Sequence, residues 1–127
     1  IGLTQMIFVT AERFAKGTGL TPTREVLRDP ESNVTIGSRF LGFLFDQWDG
    51  FTMLVPPSSN AGEGGVTKML RLRGTWDADE FIEGIVDDQA RNYYKRVLGS
   101  FFAYTWLYER RVPELPNRIP AKLLPKQ

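Results

Sequence analysis

The sequence predicts a small α+β domain dominated by helices, with three or four helices and one β-hairpin. Apolar residues at three- and four-residue steps indicate the helices. Two short apolar runs on either side of a Gly-rich segment indicate the hairpin. Four prolines near the C-terminus indicate an extended tail. At 127 residues the chain suits one hydrophobic core, so we predict a single domain over residues 1–111 and a proline-rich tail over 112–127.

The first half of the chain carries three candidate helices. Residues 1–16 follow helical spacing roughly, although residues 7–9 alone also suit a strand, and a glycine follows at a position typical of a helix end. Residues 21–29 start with Thr-Pro and end before a proline, which predicts a short helix. In residues 36–48 large apolar side chains recur at helical steps, which predicts a third helix.

The hairpin is predicted from residues 51–55 (FTMLV) and 66–73 (VTKMLRLR). The second run alternates, with Val66, Lys68, Leu70 and Leu72 on one face. The segment between the runs, PPSSNAGEGG, is rich in turn formers and predicts a long mobile loop. Two strands alone are not stable in water, so this hairpin should pack on the helices.

A long C-terminal helix is predicted over about residues 77–110. Acidic residues crowd its start and arginines its end, as the helix dipole favours. Unbroken, it would extend about 50 Å; Gly84 and Gly99 are the candidate breaks. Beyond it, the prolines of residues 112–127 predict extended or polyproline-like backbone.

The chain contains neither Cys nor His. Their absence excludes disulfides, zinc sites with thiolate or imidazole ligands, cysteine nucleophiles and Ser-His-Asp triads. Carboxylate chemistry and oxygen-ligand metal sites stay open. The net charge of +1 does not indicate a polyanionic partner for the whole molecule. We predict no cofactor, and an intracellular or organellar location rather than secretion; Asn33-Val34-Thr35 matches a glycosylation triplet, but we expect no glycan there.

Three local patterns are candidate sites, each with a simpler interpretation. Six acids between residues 75 and 88 would suit a hard cation, but they also suit a solvated helix start. The Gly-rich residues 62–65 lack the Gly-Lys-Ser/Thr of a phosphate loop. Asp46 and Asp49 flank Trp48 and resemble a carboxylate pair for glycoside chemistry, although their spacing equally fits a helix end. We predict no catalytic residue and no metal site.

Residues 93–111, YYKRVLGSFFAYTWLYERR, carry seven aromatic residues. The stretch between Arg96 and Glu109 has twelve uncharged residues, and a transmembrane helix needs about 20. A helix over residues 93–111 would be apolar on nearly all of its faces, so most of its surface would have to be buried against other parts of a structure. We therefore predict that it docks on a partner together with the tail. The predicted partner-binding residues are Tyr94, Phe102, Trp106, Arg110, Arg111, Leu115, Ile119, Leu123 and Leu124.

These observations predict a non-catalytic structural or accessory subunit of a larger multiprotein assembly, and not an enzyme. Its partners would be other protein subunits, in a homo- or hetero-oligomer. One alternative is a small-molecule-binding or catalytic α+β domain with an aromatic pocket, lined by Phe40, Phe43, Trp48, Tyr93 and Trp106. Another is a basic nucleic-acid-binding module, which is not favoured because no known binding motif is present. Peripheral membrane contact also stays open.

Overall fold

The computed structural model describes residues 1–126, which form helices and connecting segments. Two short 3-10 turns, Thr52–Leu54 and Ala121–Leu123, accompany the α-helices. The α-helices are α1 (Phe8–Ala15), α2 (Pro30–Gln47), α3 (Val55–Arg73), α4 (Ala78–Glu83) and α5 (Asp88–Glu109). Within residues 1–126 no strand forms, and a single isolated bridge pairs Asp77 with Arg118. The predicted α+β class is therefore wrong, because the part of the chain that the structure describes is helical.

The predicted hairpin is the largest error. Its first strand, residues 51–55, is a 3-10 turn followed by the start of α3, and its second, residues 66–73, is the last part of α3. Pro56 and Pro57, which suggested the end of a strand, occupy the first turn of α3. Proline fits there because the first-turn N–H groups need no helical acceptor and its fixed φ suits a helix.

The predicted helix over residues 77–110 is two helices, α4 and α5. Gly84, one of the two candidate breaks, follows the last residue of α4, whereas Gly99 lies inside α5. The carboxylate of Asp87 starts the second helix by accepting a hydrogen bond from Ala90 N at 2.6 Å. Such a side-chain cap satisfies one of the free N–H groups of a helix start.

In the first half of the chain α2 is longer than predicted, and residues 24–28 form turns where a helix over 21–29 was predicted. Pro30 starts α2 instead of merely ending the segment before it. Asp29 caps this helix through a 2.9 Å hydrogen bond from Ser32 N. The hydrogen bonds from Ser32 hold the pKa of the Asp29 carboxyl below its ordinary value.

The chain divides into two compact units, Ile1–Gly50 and a second unit from Phe51 onward. In the first unit α1 and α2 pack together. In the second, α5 packs against α3 and α4. The core of the first unit contains Met6, Ala11, Ala15, Leu27 and Ile36. The largest fully buried side chains of the second unit are Tyr94, Phe81, Met53, Leu54 and Val66.

The C-terminal segment packs within the second unit. Ala78 N donates to Asn117 O at 2.8 Å, and Arg118 Nε lies 2.7 Å from Asp77 Oδ1. Ile119 is buried. The last residue of the predicted tail, Gln127, lies outside the described residues, and the predicted domain boundary between residues 111 and 112 stays a prediction. Among residues 1–126, no helix is both long and apolar enough to cross a membrane.

Candidate functional site

The first unit carries a tight loop just before α1. Among residues 1–126 three non-glycine residues have positive φ: Gln5, Asp49 and Arg110. Asp49 and Arg110 follow the ends of helices, where this conformation is common. Gln5 (φ 51) does not; its backbone N–H and its side-chain amide both donate to Gly2 O, at 3.2 and 2.6 Å. A residue in this region persists only where its surroundings hold it there, and such positions cluster at functional sites.

The side chain of Asn33, in the first turns of α2, holds this loop. Its Oδ1 accepts hydrogen bonds from the backbone N and the Oγ1 of Thr4, both at 2.9 Å. Its Nδ2 donates to Leu27 O at 2.9 Å and to Ile1 O at 3.1 Å. These four bonds use the full capacity of the amide, and the residue is fully buried. The buried, bonded nitrogen also leaves no room for a glycan at this triplet.

The second unit carries a groove on α5. The groove has a volume of about 320 Å³ and is lined by Tyr93, Arg96, Val97 and Ser100. Spacings of three and four residues place these side chains on one face of the helix. The Tyr93 hydroxyl lies 3.3 Å from Ser59 Oγ on α3, so either oxygen can donate to the other. The lining therefore combines an aromatic ring, hydroxyl groups and a guanidinium.

The backbone of α3 is interrupted close to this hydroxyl pair. Gly62 has φ 73 and ψ 167, a combination that only glycine adopts readily. No atom lies within 4 Å of where a Cβ would stand, so this glycine is required by its conformation and not by crowding. Asn60 and Glu63, on either side of the kink, are exposed. The predicted mobile hairpin tip over residues 62–65 is thus a kink inside a helix.

Tyr94, the residue after Tyr93, holds α5 against the 3-10 turn at Thr52–Leu54. Its hydroxyl donates to Met53 O, and the side chain is fully buried. Burial raises the pKa of Tyr94, because the charged phenolate would lose its hydration. Tyr94 therefore positions α5 against the 3-10 turn and leaves the groove face to its neighbour Tyr93.

A second cavity, of about 730 Å³, lies between α4 and the C-terminal segment. Its lining includes three charged residues: Asp77 and Arg118 pair with each other, and Asp79 Oδ1 accepts a hydrogen bond from Glu80 N at 2.9 Å. The other acids of the predicted cation cluster serve local roles: Glu83 pairs with Lys95, and Asp88 with Arg91. Within residues 1–126 no group of three or more Asp and Glu residues is placed to hold a metal ion.

The sequence profile of the Transglycosylase SLT domain family matches residues 1–82, which is more than half of the chain. The match includes the loop at Gln5, the helix that carries Asn33 and the kinked α3. The chain belongs to the transglycosylase SLT family.

Curated proteins named as soluble lytic murein transglycosylases are similar to this SLT chain. The soluble lytic murein transglycosylase of Escherichia coli is 32% identical over 96 residues, which is 75% of this chain and 14% of that protein. The soluble lytic murein transglycosylase of Salmonella typhimurium is 34% identical over 79 residues, which is 61% of this chain and 12% of that protein. The SLT chain thus spans less than a fifth of the length of these relatives.

A solved structure shares the fold of this SLT chain. It is the X-ray structure of the lytic transglycosylase Slt from Pseudomonas aeruginosa, solved as an inactive mutant in which a glutamate is replaced by glutamine. The two chains share 26% sequence identity with a TM-score of 0.76, over 86% of this chain and 18% of that one. The helical architecture described above is therefore a lytic transglycosylase fold.

The prediction of a non-catalytic structural or accessory subunit is wrong, because SLT domains and their relatives are lytic transglycosylases, a family of enzymes. That prediction relied on the absence of His and Cys, which does not exclude an enzyme. Glycoside chemistry proceeds with carboxyl groups alone. The one carboxylate pair considered, Asp46 and Asp49, lies exposed at and just beyond the end of α2.

The structure separates the predicted partner-binding residues into three groups by burial. Tyr94 and Ile119 are buried in the second unit and so contribute to no exposed surface. Phe102, Leu123 and Leu124 are partly buried, and Trp106, Arg110, Arg111 and Leu115 are exposed. A docking role for the exposed residues stays a prediction.

The residues of the predicted aromatic pocket are divided between the two compact units. Phe40 and Phe43 contact Phe14 in the first unit, with ring centroids 5.2 and 5.3 Å apart. Of the predicted lining only Tyr93 reaches the groove on α5. Gln5 and Ser59 were missed altogether. Recognising Pro56-Pro57 as a helix start would have placed Ser59 on a helix rather than in a mobile loop.

Proposed function

We propose that this SLT chain is part of the catalytic domain of a lytic murein transglycosylase, and that the groove on α5 holds a glycan strand of murein. The observation that carries the proposal is the family match over residues 1–82. The names of the relatives supply the substrate class and the reaction. The groove supplies a surface of suitable chemistry on the chain itself.

A transglycosylase moves a glycosyl group from one oxygen to another. The bond between the anomeric carbon and the glycosidic oxygen breaks, and that oxygen takes a proton from a carboxylic acid. A hydroxyl oxygen then bonds to the anomeric carbon and gives its proton to the resulting carboxylate, so the catalyst is regenerated. The loss of activity in the Pseudomonas aeruginosa mutant, which replaces a glutamate by glutamine, agrees with such a role for a carboxyl group in that protein.

The described part of this chain supports glycan binding more directly than proton transfer. All fifteen Asp and Glu side chains are exposed. A general acid at neutral pH usually has a pKa raised by burial. We therefore assign the residues of the groove to holding the saccharide, and we assign the acid–base step to none of the carboxylates described.

The groove lining fits a saccharide because sugar rings are amphipathic. An aromatic face such as that of Tyr93 covers the C–H face of a sugar ring. The hydroxyls of Tyr93 and Ser100 can both donate and accept hydrogen bonds, and Arg96 donates. A few polar groups around an apolar surface are typical of small-ligand sites.

Tyr93→Ala should weaken binding of the protein to insoluble murein about tenfold, a loss of about 1.4 kcal/mol. It removes both the ring and the hydroxyl opposite Ser59. The measurement is co-sedimentation with purified murein sacculi over a range of protein concentrations. Asn92→Ala is the matched control, because Asn92 is the exposed neighbour on α5 and does not line the groove.

The proposal is contradicted if the native protein fails to co-sediment with sacculi. The groove assignment is contradicted if the folded Tyr93→Ala protein binds as tightly as the Asn92→Ala control. Circular dichroism of each variant separates a binding defect from a folding defect.

A further inference from the structure

The face of α5 that forms the groove does not end with the groove. Tyr93, Val97 and Ser100 are followed at helical steps by Tyr104 and Tyr108. Tyr104 is 59% exposed and Tyr108 is 79% exposed. Groove and exposed rings therefore form one continuous stripe along the helix, which we name the α5 stripe.

The rings of Tyr104 and Tyr108 stack on each other. Their centroids are 5.9 Å apart and their planes differ by 11°. The stack orders two side chains that would otherwise rotate freely in solvent, which reduces the entropy lost when a ligand binds. Each ring keeps a hydroxyl exposed beside its apolar face, and this combination suits an amphipathic ligand better than a purely apolar one.

One charged side chain lines the groove, and it is basic. Arg96 lies within the groove, and Arg111 lies beyond the last residue of α5, Glu109. Arg111 contacts Glu109 at 2.7 Å, so its charge is partly balanced. No acidic residue occupies the helical positions of the stripe between Tyr93 and Tyr108. Murein carries carboxylate groups on its peptides, so this stripe presents no like charge to it.

We propose that Tyr104 and Tyr108 form a remote subsite for the same saccharide strand that occupies the groove. The proposal rests on the proposed function, and it specifies that the bound ligand is a strand longer than the groove. Fifteen residues separate Tyr93 from Tyr108, which corresponds to about 22 Å of helix. A polymer lying along α5 reaches both places at once, and the second contact raises its affinity without requiring a new binding event from solution.

A partner protein is the competing occupant of this surface. Phe101, Trp106 and Leu107 are exposed on the same half of α5 and would suit such an interface. The glycan is favoured because the stacked pair continues the groove face, whereas Trp106 lies off that face. Substitution of the tyrosines distinguishes the two occupants. If a glycan binds there, the substitution changes how affinity depends on saccharide length. If a protein binds there, it changes the oligomeric state.

The test compares the native protein with the Tyr104→Ala/Tyr108→Ala double variant. The probes are soluble oligosaccharides of N-acetylated amino sugars of increasing length, measured by isothermal titration. For the native protein we expect affinity to rise by about tenfold once the oligosaccharide outgrows the groove, or about 1.4 kcal/mol. The double variant should bind short oligosaccharides as the native protein does and lose that rise.

Trp106→Ala is the matched control, since Trp106 is a 52% exposed aromatic residue of the same helix outside the α5 stripe. It should keep the full dependence on length. The single variant Tyr108→Ala, at the more exposed position, provides a second measurement if the double variant is poorly folded; it too should reduce the rise.

The inference is overturned if the native protein binds short oligosaccharides but shows no gain with length, or if the gain survives in the folded variants. It is also overturned if the double variant changes only the oligomeric state in analytical ultracentrifugation, which would assign the surface to a protein partner. If the native protein binds no oligosaccharide of any length and no sacculi, the proposed function itself fails.

Discussion

Replacing Asn33 by aspartate should lower the free energy of unfolding by at least about 3 kcal/mol at neutral pH. The substitution replaces the Nδ2 donor by an acceptor oxygen, so Leu27 O and Ile1 O lose their hydrogen bonds. A buried carboxylate then faces two carbonyl oxygens. Because the side chain is fully buried, no water replaces the lost donor.

The measurement is urea unfolding followed by circular dichroism. Asn92→Asp is the matched control, because Asn92 is exposed near the start of α5, where a negative charge is mildly favourable. The carboxyl introduced by Asn33→Asp should have a pKa raised by burial. A raised folded pKa means that the deficit shrinks as the pH falls through it, and so Asn33→Asp should recover stability in acid. Equal stability of Asn33→Asp and Asn92→Asp at neutral pH would contradict the role given to Asn33.

The two interior glycines of α2, Gly37 and Gly42, should respond to alanine with opposite signs. A Cβ on Gly37 would stand 2.4 Å from Thr4 Cγ2, so the loop at Gln5 must move or α2 must shift. We expect Gly37→Ala to destabilise the protein by about 1–3 kcal/mol. Gly42 has no atom within 4 Å of its Cβ position, so Gly42→Ala should stabilise the helix by about 0.5–1 kcal/mol.

Thermal unfolding of the two variants side by side measures this contrast, and each is the control for the other. A stabilising effect of both alanines would show that the loop does not pack closely on α2.

Helical spacing predicted those helices whose apolar residues lie on a single face. The recurring apolar residues of 36–48 correctly located the C-terminal part of α2. The run at 66–73 failed because it fits two periods. Val66 and Leu70, four apart, are both buried on one face of α3. Leu72, which alternation placed on the same face, is 63% exposed.

The candidate site depends on contacts that no local pattern contains. Ser59 and Tyr93 are separated by 34 residues, and Thr4 and Asn33 by 29. Sequence spacing predicts which residues share a helix face, but the pairing of one helix with another depends on packing across the whole unit. Tyr93 was therefore identified as a candidate pocket residue, while its partner Ser59 was missed.

The functional prediction failed for a chemical reason. Composition excluded the catalytic groups that depend on His or Cys, and that exclusion holds for this sequence. The prediction extended this exclusion to catalysis in general. Glycosyl transfer, however, requires carboxyl groups and a surface that holds the sugar, and neither depends on His or Cys. Part of the stretch from Tyr93 to Arg111 is interpreted differently as a result: Tyr93, Tyr104 and Tyr108 now form a proposed glycan surface. Docking of a protein through its other exposed residues stays a prediction.

We propose that this chain is part of an enzyme that transfers glycosyl groups of murein instead of hydrolysing them. The most direct measurement is digestion of murein sacculi in water labelled with heavy oxygen, with mass spectrometry of the soluble products. A transferase joins the anomeric carbon to a sugar hydroxyl, so the account predicts soluble saccharides without heavy oxygen at the new ends. Release of soluble saccharide with heavy oxygen at every new end would contradict it.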